Sequence, residues 1–335
     1  MLPSAEDPVP DTRLAPPAGP PPGSVAASIE RVRAELRKVI VGQDEMVNLL
    51  IAAVLAGGHV LIEGVPGVAK TLSARLLART MDVSFSRIQF TPDLMPSDVL
   101  GTSVFDPRTT DFRFHRGPIF AHMVLIDEIN RAPAKTQAAL FEVMEERQVS
   151  MEGTTYPLAP PFNVLATQNP LEHEGTYRLP EAQLDRFLFK IEVTYPTLEE
   201  EVGILTAYQG HGGKVDVEEV RPVWAAEDVV RAQEEVRRIH VEPPLLRYAA
   251  QLVAATRGHR ALYLAASPRA SLALVAGAKA LAAMNGRDFA TPEDIRDVTA
   301  PVLRHRIMLT PEREMEGHKP DSVIKRIVEG IEVPR

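Results

Sequence analysis

Cysteine is absent from all 335 residues. That excludes disulfides, thiolate metal sites and a cysteine nucleophile, and a reducing, cytoplasmic setting is expected. Aromatic residues are scarce at 5%, with a single Trp, so no basic–aromatic platform for single-stranded nucleic acid is evident. Basic residues are outnumbered, 37 Lys and Arg against 45 Asp and Glu, giving a net charge of −8. Proteins that act mainly on duplex nucleic acid carry the opposite balance, although a local basic pore remains compatible. No apolar run is long and uninterrupted enough to span a bilayer. Asn48, His59 and the Gly57-Gly58 pair break Val47–Ile62, and Pro268, Arg269 and Lys279 break Ala261–Met284. The N-terminus is acidic and broken by proline, with none of the apolar stretch of a secretory signal.

Proline is abundant early, at eight of the first 22 residues, and segment 1–24 is expected to be a disordered tail. Beyond it, Ile29, Val32, Leu36 and Val39 recur at helical spacing. Apolar or β-branched runs follow at His59–Glu63, Ser84–Phe90, His122–Asp127, Phe162–Thr167 and Arg186–Val193, with helical patterns such as Lys70–Thr80 and Lys135–Glu146 between them. Strands alternating with helices give a parallel sheet covered on both faces. Buried parallel strands read as continuous apolar runs, as Val124-Leu125-Ile126 does. The expected fold is thus α/β, a parallel five-stranded sheet over 25–196, followed by a linker or crossover at 197–224. An all-helical domain at 225–310 and a C-terminal segment at 311–335 complete the chain. Thr291-Pro-Glu-Asp is a helix start, with Thr as cap and acids in the first turn.

Gly64-Val-Pro-Gly-Val-Ala-Lys-Thr71 lies between the first strand and a helix. That is the setting of a P-loop, whose backbone N–H groups and helix N-terminus hold phosphate. Lys70 would reach the β and γ phosphates and the Thr71 hydroxyl would ligate Mg²⁺. Ala69 stands where the second glycine of the common pattern falls; a plain Gly/Pro turn is the alternative reading. Val124–Ile126 ends in Asp127 and Glu128, the place of a Mg²⁺-associated acid and a water-polarising base, or else simply a strand exit to solvent. Phe162–Thr167 runs into Gln168 and Asn169; Asn169 would orient water against Glu128, or start a turn before Pro170. Arg186 and Arg269 are each suited to neutralising γ-phosphate charge; singly, each would be read as a surface ion pair.

Taken in order, VIVGQDEMV (39–47), GVPGVAKT (64–71), VLIDEINRAPAKTQAALFEVMEE (124–146), VLATQNP (164–170), GTYRLPEAQLDRF (175–187), SPRA (267–270) and VLRHRI (302–307) resemble the MoxR family of AAA+ ATPases. The resemblance covers the chain from about residue 28 to the end of the helical domain. It implies a P-loop AAA+ core with a helical lid, ATP and Mg²⁺ as ligands, and ATP hydrolysis. Gly64, Val65, Pro66, Gly67, Val68, Ala69, Lys70 and Thr71, with Leu72 after them, resemble the Walker A loop. Val41 and Gly42 would lie near the adenine. Asp127 and Glu128 resemble Walker B, with Thr71 and Asp127 on the metal, and Asn169 resembles sensor 1. Arg186 resembles the finger supplied in trans to a neighbour's ATP, and Arg131 a further inter-subunit contact. Arg269 resembles sensor 2, which draws lid and core together when ATP is bound. The family also implies a helix-2 insert near 92–118 and a hairpin before sensor 1 near 148–160.

By the same resemblance, a homo-oligomeric ring, a hexamer, and a von Willebrand A domain protein client are implied, giving a chaperone-like remodeller or maturation factor. A nucleic-acid motor and an ATP-dependent switch are the competing readings. The acidic balance weighs against the first and the presence of Glu128 against the second. A GTPase is disfavoured because no [NT]-K-x-D motif is present.

Overall fold

The computed structural model describes residues 24–65, 67–170, 176–210 and 217–334. The proline-rich segment lies outside these residues except for Ser24. That residue belongs to the first helix instead: its side chain accepts a hydrogen bond from the Ala27 N–H (3.2 Å) as the N-cap.

Helices α1 (Val25–Leu36) and α2 (Asp44–Ala56) precede β1 (His59–Gly64), and α3 (Lys70–Thr80) leads to β2 (Phe85–Gln89). The excursion that follows holds α4 (Pro96–Leu100) and an antiparallel ribbon, β3 (Gly101–Asp106) with β4 (Asp111–Arg116). The chain then forms β5 (Met123–Asp127), α5 (Ala134–Glu146) and a hairpin of β6 (Gln148–Met151) and β7 (Thr154–Pro157). Then come β8 (Asn163–Gln168), the single turn α6 (Glu181–Leu184) and β9 (Phe187–Val193). Five strands make one parallel sheet in the order β2-β5-β8-β1-β9.

Both faces of this sheet are buried, and successive side chains serve different cores. Val60 and Ile62 of β1 join one apolar cluster and Leu61 the other; Leu125 of β5 joins the first, Val124 and Ile126 the second. The second cluster is closed by α5 through Leu140, Phe141 and Met144. At the start of β1, buried His59 accepts from the Val164 N–H at Nδ1 (2.9 Å). Its Nε2 therefore carries the proton, facing the Met144 carbonyl oxygen at 3.1 Å. Burial pulls its pKa down to about 4, because no water is at hand to solvate an imidazolium.

The C-terminal part holds α7 (Leu198–Gly210), α8 (Ala226–Arg238), α9 (Pro243–Arg257), β10 (Leu262–Leu264), α10 (Pro268–Met284) and α11 (Pro292–Leu303). It ends with β11 (Met308–Leu309), α12 (Pro311–Met315) and α13 (Pro320–Glu329). Two expectations are corrected here. The region expected as a linker contains α7, and Val220 and Trp224 beyond it are buried in the main core. The region expected to be all-helical contains the small antiparallel β10–β11 ribbon. The C-terminal segment is helical, and α13 buries Val323, Ile324 and Ile327 against the same core.

The helical part does not stand apart from the sheet. Leu274 and Ala278 of α10, Val298 of α11 and Leu50, Ile51 and Val54 of α2 belong to one continuous cluster. Polar bonds add to this at the amino end of β9. Arg306, only 4% exposed at its side chain, donates to Asp185 Oδ1 (2.7 Å) and to the carbonyl oxygens of Asp185, Phe187, Leu188 and Val302. Ser267 Oγ donates to Asp185 Oδ2 at 2.8 Å. Arg304 reaches the Lys190 carbonyl oxygen and pairs with Asp321. The VLRHRI segment is thus the bolt between the helical part and the sheet. Among the described residues no helix is long and apolar enough to cross a membrane.

Candidate functional site

The parallel sheet brings the carboxyl ends of β1, β2, β5 and β8 to one edge, where ligands of open α/β sheets bind. A cavity of about 420 Å³ lies there, lined by Gly67, Val68, Ala69, Lys70, Thr71 and Leu72 on one side. Arg87, Gln89, Asp127, Glu128, Thr167 and Asn169 line the rest. Six of the P-loop residues and all three strand-tip residues read from the sequence therefore meet in one place. Gly64 and Val65 lead into the loop without lining the cavity, and Pro66 lies outside the described residues.

The loop's shape follows from its sequence. Gly64 passes so close to β9 that a Cβ on it would come within 2.6 Å of the Val193 carbonyl oxygen. Gly67 takes a left-handed φ of +85° beside open space. Ala69 also adopts the left-handed conformation, φ 60°, although its Cβ makes that cost about 1 kcal/mol. This turn precedes α3 and sets the helix N-terminus against the cavity, a ready anion site. Lys70 Nζ donates to the Gly64 carbonyl oxygen at 2.5 Å, which folds its ammonium over the loop.

The acids are held by their neighbours. Asp127 is buried; its Oδ1 accepts from Thr167 Oγ1 (3.0 Å) and lies 3.5 Å from Thr71 Oγ1, and its Oδ2 pairs with Arg87 Nε at 2.6 Å. Glu128 sits in a strained left-handed turn, φ 56°. Its Oε2 accepts from Gln89 Nε2 at 2.7 Å and lies 3.2 Å from Arg131 Nε. Its backbone N–H donates to Thr167 Oγ1 at 3.1 Å. Asn169 is buried at the rim of the same cavity. Hard oxygen donors at Thr71 and Asp127 beside an anion-binding loop suit a hydrated Mg²⁺ carried on phosphate. Arg87, Gln89 and Thr167 are additions that sequence reading missed; the only signal was that β2 and β8 end beside the acids.

Four expected residues lie elsewhere. Val41 and Gly42 sit between α1 and α2 against α7, close enough that a Cβ on Gly203 would come within 2.9 Å of Val41 Cγ1. Arg186 precedes Phe187, which pairs in register with His59 at the amino end of β1, while the P-loop leaves the other end of that strand. Six residues of strand, about 20 Å, separate the two ends, more than an arginine side chain spans. Arg269 stands beside Arg186: both pair with Glu145 at the end of α5, at 2.7 and 3.2 Å. The expected closure of a lid through Arg269 onto the nucleotide of its own chain does not follow from this packing. The helical part already shares its core with the sheet, and Arg269 faces the opposite edge.

A P-loop backed by two acids on the next strand, with a polar tip beyond, defines a P-loop ATPase of the AAA+ class. Residues 59–189 match the ATPase family associated with various cellular activities (AAA), and residues 254–327 match the AAA lid domain. The chain is 44% identical over 317 residues to Chaperone MoxR1 of Mycobacterium tuberculosis, covering 92% of this chain and 83% of that one. It is 32% identical to Protein MoxR of Methylorubrum extorquens, over 92% and 95% of the two chains. A solved structure from Cytophaga hutchinsonii, proposed to be an ATPase, superposes with a TM-score of 0.85 at 42% identity, covering 93% of this chain and 96% of that one. The chain belongs to the MoxR family of AAA+ ATPases, and its reaction is the hydrolysis of ATP.

Proposed function

We propose that this ATPase works as a homo-oligomeric ring, a hexamer, in which Arg186 and Arg269 of one subunit complete the phosphate site of the next. The observation that carries this reading is the separation just described. Both arginines stand at the amino edge of the sheet and the phosphate cradle at the carboxyl edge, so only a second copy can bring them together. Lys70 and the α3 N-terminus hold the β and γ phosphates. Thr71 and Asp127 would hold Mg²⁺, which when bound neutralises charge on the phosphates. Glu128 takes the proton of the attacking water as Asn169 orients it. Arg186 and Arg269, arriving from the neighbour, stabilise charge developing on the γ-phosphate.

The cycle serves, in this reading, to remodel or mature protein clients in the cytoplasm, as the name of the mycobacterial relative supports. A von Willebrand A domain protein is the client class we propose. The test is complementation. Glu128→Gln should bind ATP and hydrolyse it about 100-fold or more slowly, and Arg186→Ala should do the same. Mixing the two inactive chains should restore turnover, because some sites then combine an intact Glu128 with a neighbour's intact Arg186. Mixtures that stay inactive while parent and variants co-assemble would overturn the trans assignment.

A further inference from the structure

Among the described residues, α7 is unlike every other long helix, since it buries no side chain. Leu198, Val202 and Leu205 fall at i, i+4 and i+7, one stripe of a helix, and Tyr208 stands a turn further on. Each is more than half exposed, Leu205 at 62%. A stripe of this kind on a soluble chain marks an interaction surface. Its location narrows the occupant. The helix follows the carboxyl end of β9 and lies over the loop before α2, where a Cβ on Gly42 would overlap the Glu200 carboxylate. It therefore flanks the phosphate edge of the sheet.

At the other edge stands a complementary surface. Leu272, 72% exposed, lies one turn beyond Arg269 on α10, on the same side of that helix. Tyr263 on β10 is 77% exposed, and Arg178 near it reaches Met308 of the paired strand. Apolar side chains here are set among Arg178, Arg186 and Arg269, which outnumber their acid partners Glu181 and Glu145; the stripe on α7 begins among Glu199 and Glu201, both exposed. The two surfaces thus match in apolar character and are opposite in charge. They also lie at opposite ends of the sheet, so their union is head-to-tail and closes into a ring or extends as a filament.

We infer that the apolar face of α7 is an interface with a second copy of this chain, receiving the surface around Arg269 and Leu272 of its neighbour. The inference rests on the ring reading and sharpens it: the copy that delivers Arg186 to the phosphate edge is held there by α7. Because α7 contributes no buried side chain, substitutions on its stripe leave folding intact.

The chain's lack of cysteine makes the test direct. Leu205→Cys and Leu272→Cys are prepared as separate chains of different tagged mass, mixed with ATP and treated with a short bis-maleimide. The expected product is the mixed dimer, with little homodimer of either variant. In parallel, Val202→Asp/Leu205→Asp should sediment as a monomer at concentrations where the parent assembles. It should lose at least tenfold in ATPase rate and keep the parent's thermal unfolding midpoint and ATP binding. Parent and aspartate variant assembling alike, with no mixed cross-link, would overturn the α7 interface and leave the ring standing. A parent that stays monomeric with ATP at every concentration would overturn the ring and the interface together. A lowered unfolding midpoint would show that α7 packs internally, which also overturns it; the cross-link reads contact independently of activity.

Discussion

In the proposed ring the two edges of the parallel sheet carry the two halves of one chemistry, and they are built differently. At the carboxyl edge the functional groups lie in a cavity and are held mainly by short bonds within the sheet and its loops: Asp127 by Thr167 and Arg87, Glu128 by Gln89, Lys70 by Gly64. At the amino edge two arginines project at the surface and share one partly exposed acid, Glu145. Their bases are anchored by a buried network that runs from Arg306 through Asp185 to Ser267. The first edge is a preorganised receptor, and the second, in the proposed ring, presents its charge to a neighbouring copy. The contrast teaches that the helical part is here less a lid over the nucleotide than a rigid mount for Arg269.

The comparison breaks most severely at the mount. Arg306→Met should leave Asp185 and the carbonyl oxygens of Phe187, Leu188 and Val302 without their buried partner. The expected loss is about 3–5 kcal/mol, read as a large fall in the chemical-denaturation midpoint. At the receptor edge, Lys70→Ala should weaken ATP binding about 100-fold, near 3 kcal/mol, with the unfolding midpoint unchanged; calorimetric titration checks both.

His59 tests the amino edge through pH. Its folded pKa, about 4, lies below the ordinary 6.5, so the unfolded chain binds the extra proton between those values. Stability is therefore full above about pH 6.5 and falls as pH drops toward 4. From pH 7 to pH 5 the contribution of this one group is about 2 kcal/mol. Denaturation at the two pH values should show that drop, and His59→Phe should show a smaller one; His305, also buried and held neutral, shifts in the same direction. The smallest effect is expected at Arg87. Its pair with Asp127 is half exposed on the arginine side and worth about 1 kcal/mol. Arg87→Ala should lower the Mg²⁺ concentration for half-maximal turnover about three- to fivefold, by leaving Asp127 free of a competing cation.

Much of the receptor edge was legible in the sequence because buried parallel strands are apolar until they stop. The polar residues where they stop, Asp127, Glu128 and Asn169, announce themselves. Lys70 and Thr71 were legible because the phosphate loop is local in sequence. Arg87 and Gln89 were not, since β2 is only partly buried and nothing in its short sequence sets these polar residues apart from ordinary surface ones. Only its register against β5, with Gln89 opposite Asp127, sets them over the acids. Helix α7 was missed because the Gly- and charge-rich stretch that follows it reads as a linker, and its apolar stripe buries nothing in the monomer.

By itself, the sequence determined the local things: where strands begin and end, how Thr291 caps its helix, and that Gly64–Thr71 has the form of a phosphate loop. These depend on interactions within a few residues along the chain. Only the tertiary structure decided that Arg186 and Arg269 lie together on Glu145, a strand's length from the site they resemble partners of. The helical part, too, was joined to the sheet only in three dimensions, through Arg306 and a common core. Which edge of a sheet a residue reaches depends on strand order and direction, and those are set by which apolar faces bury one another across long stretches of chain.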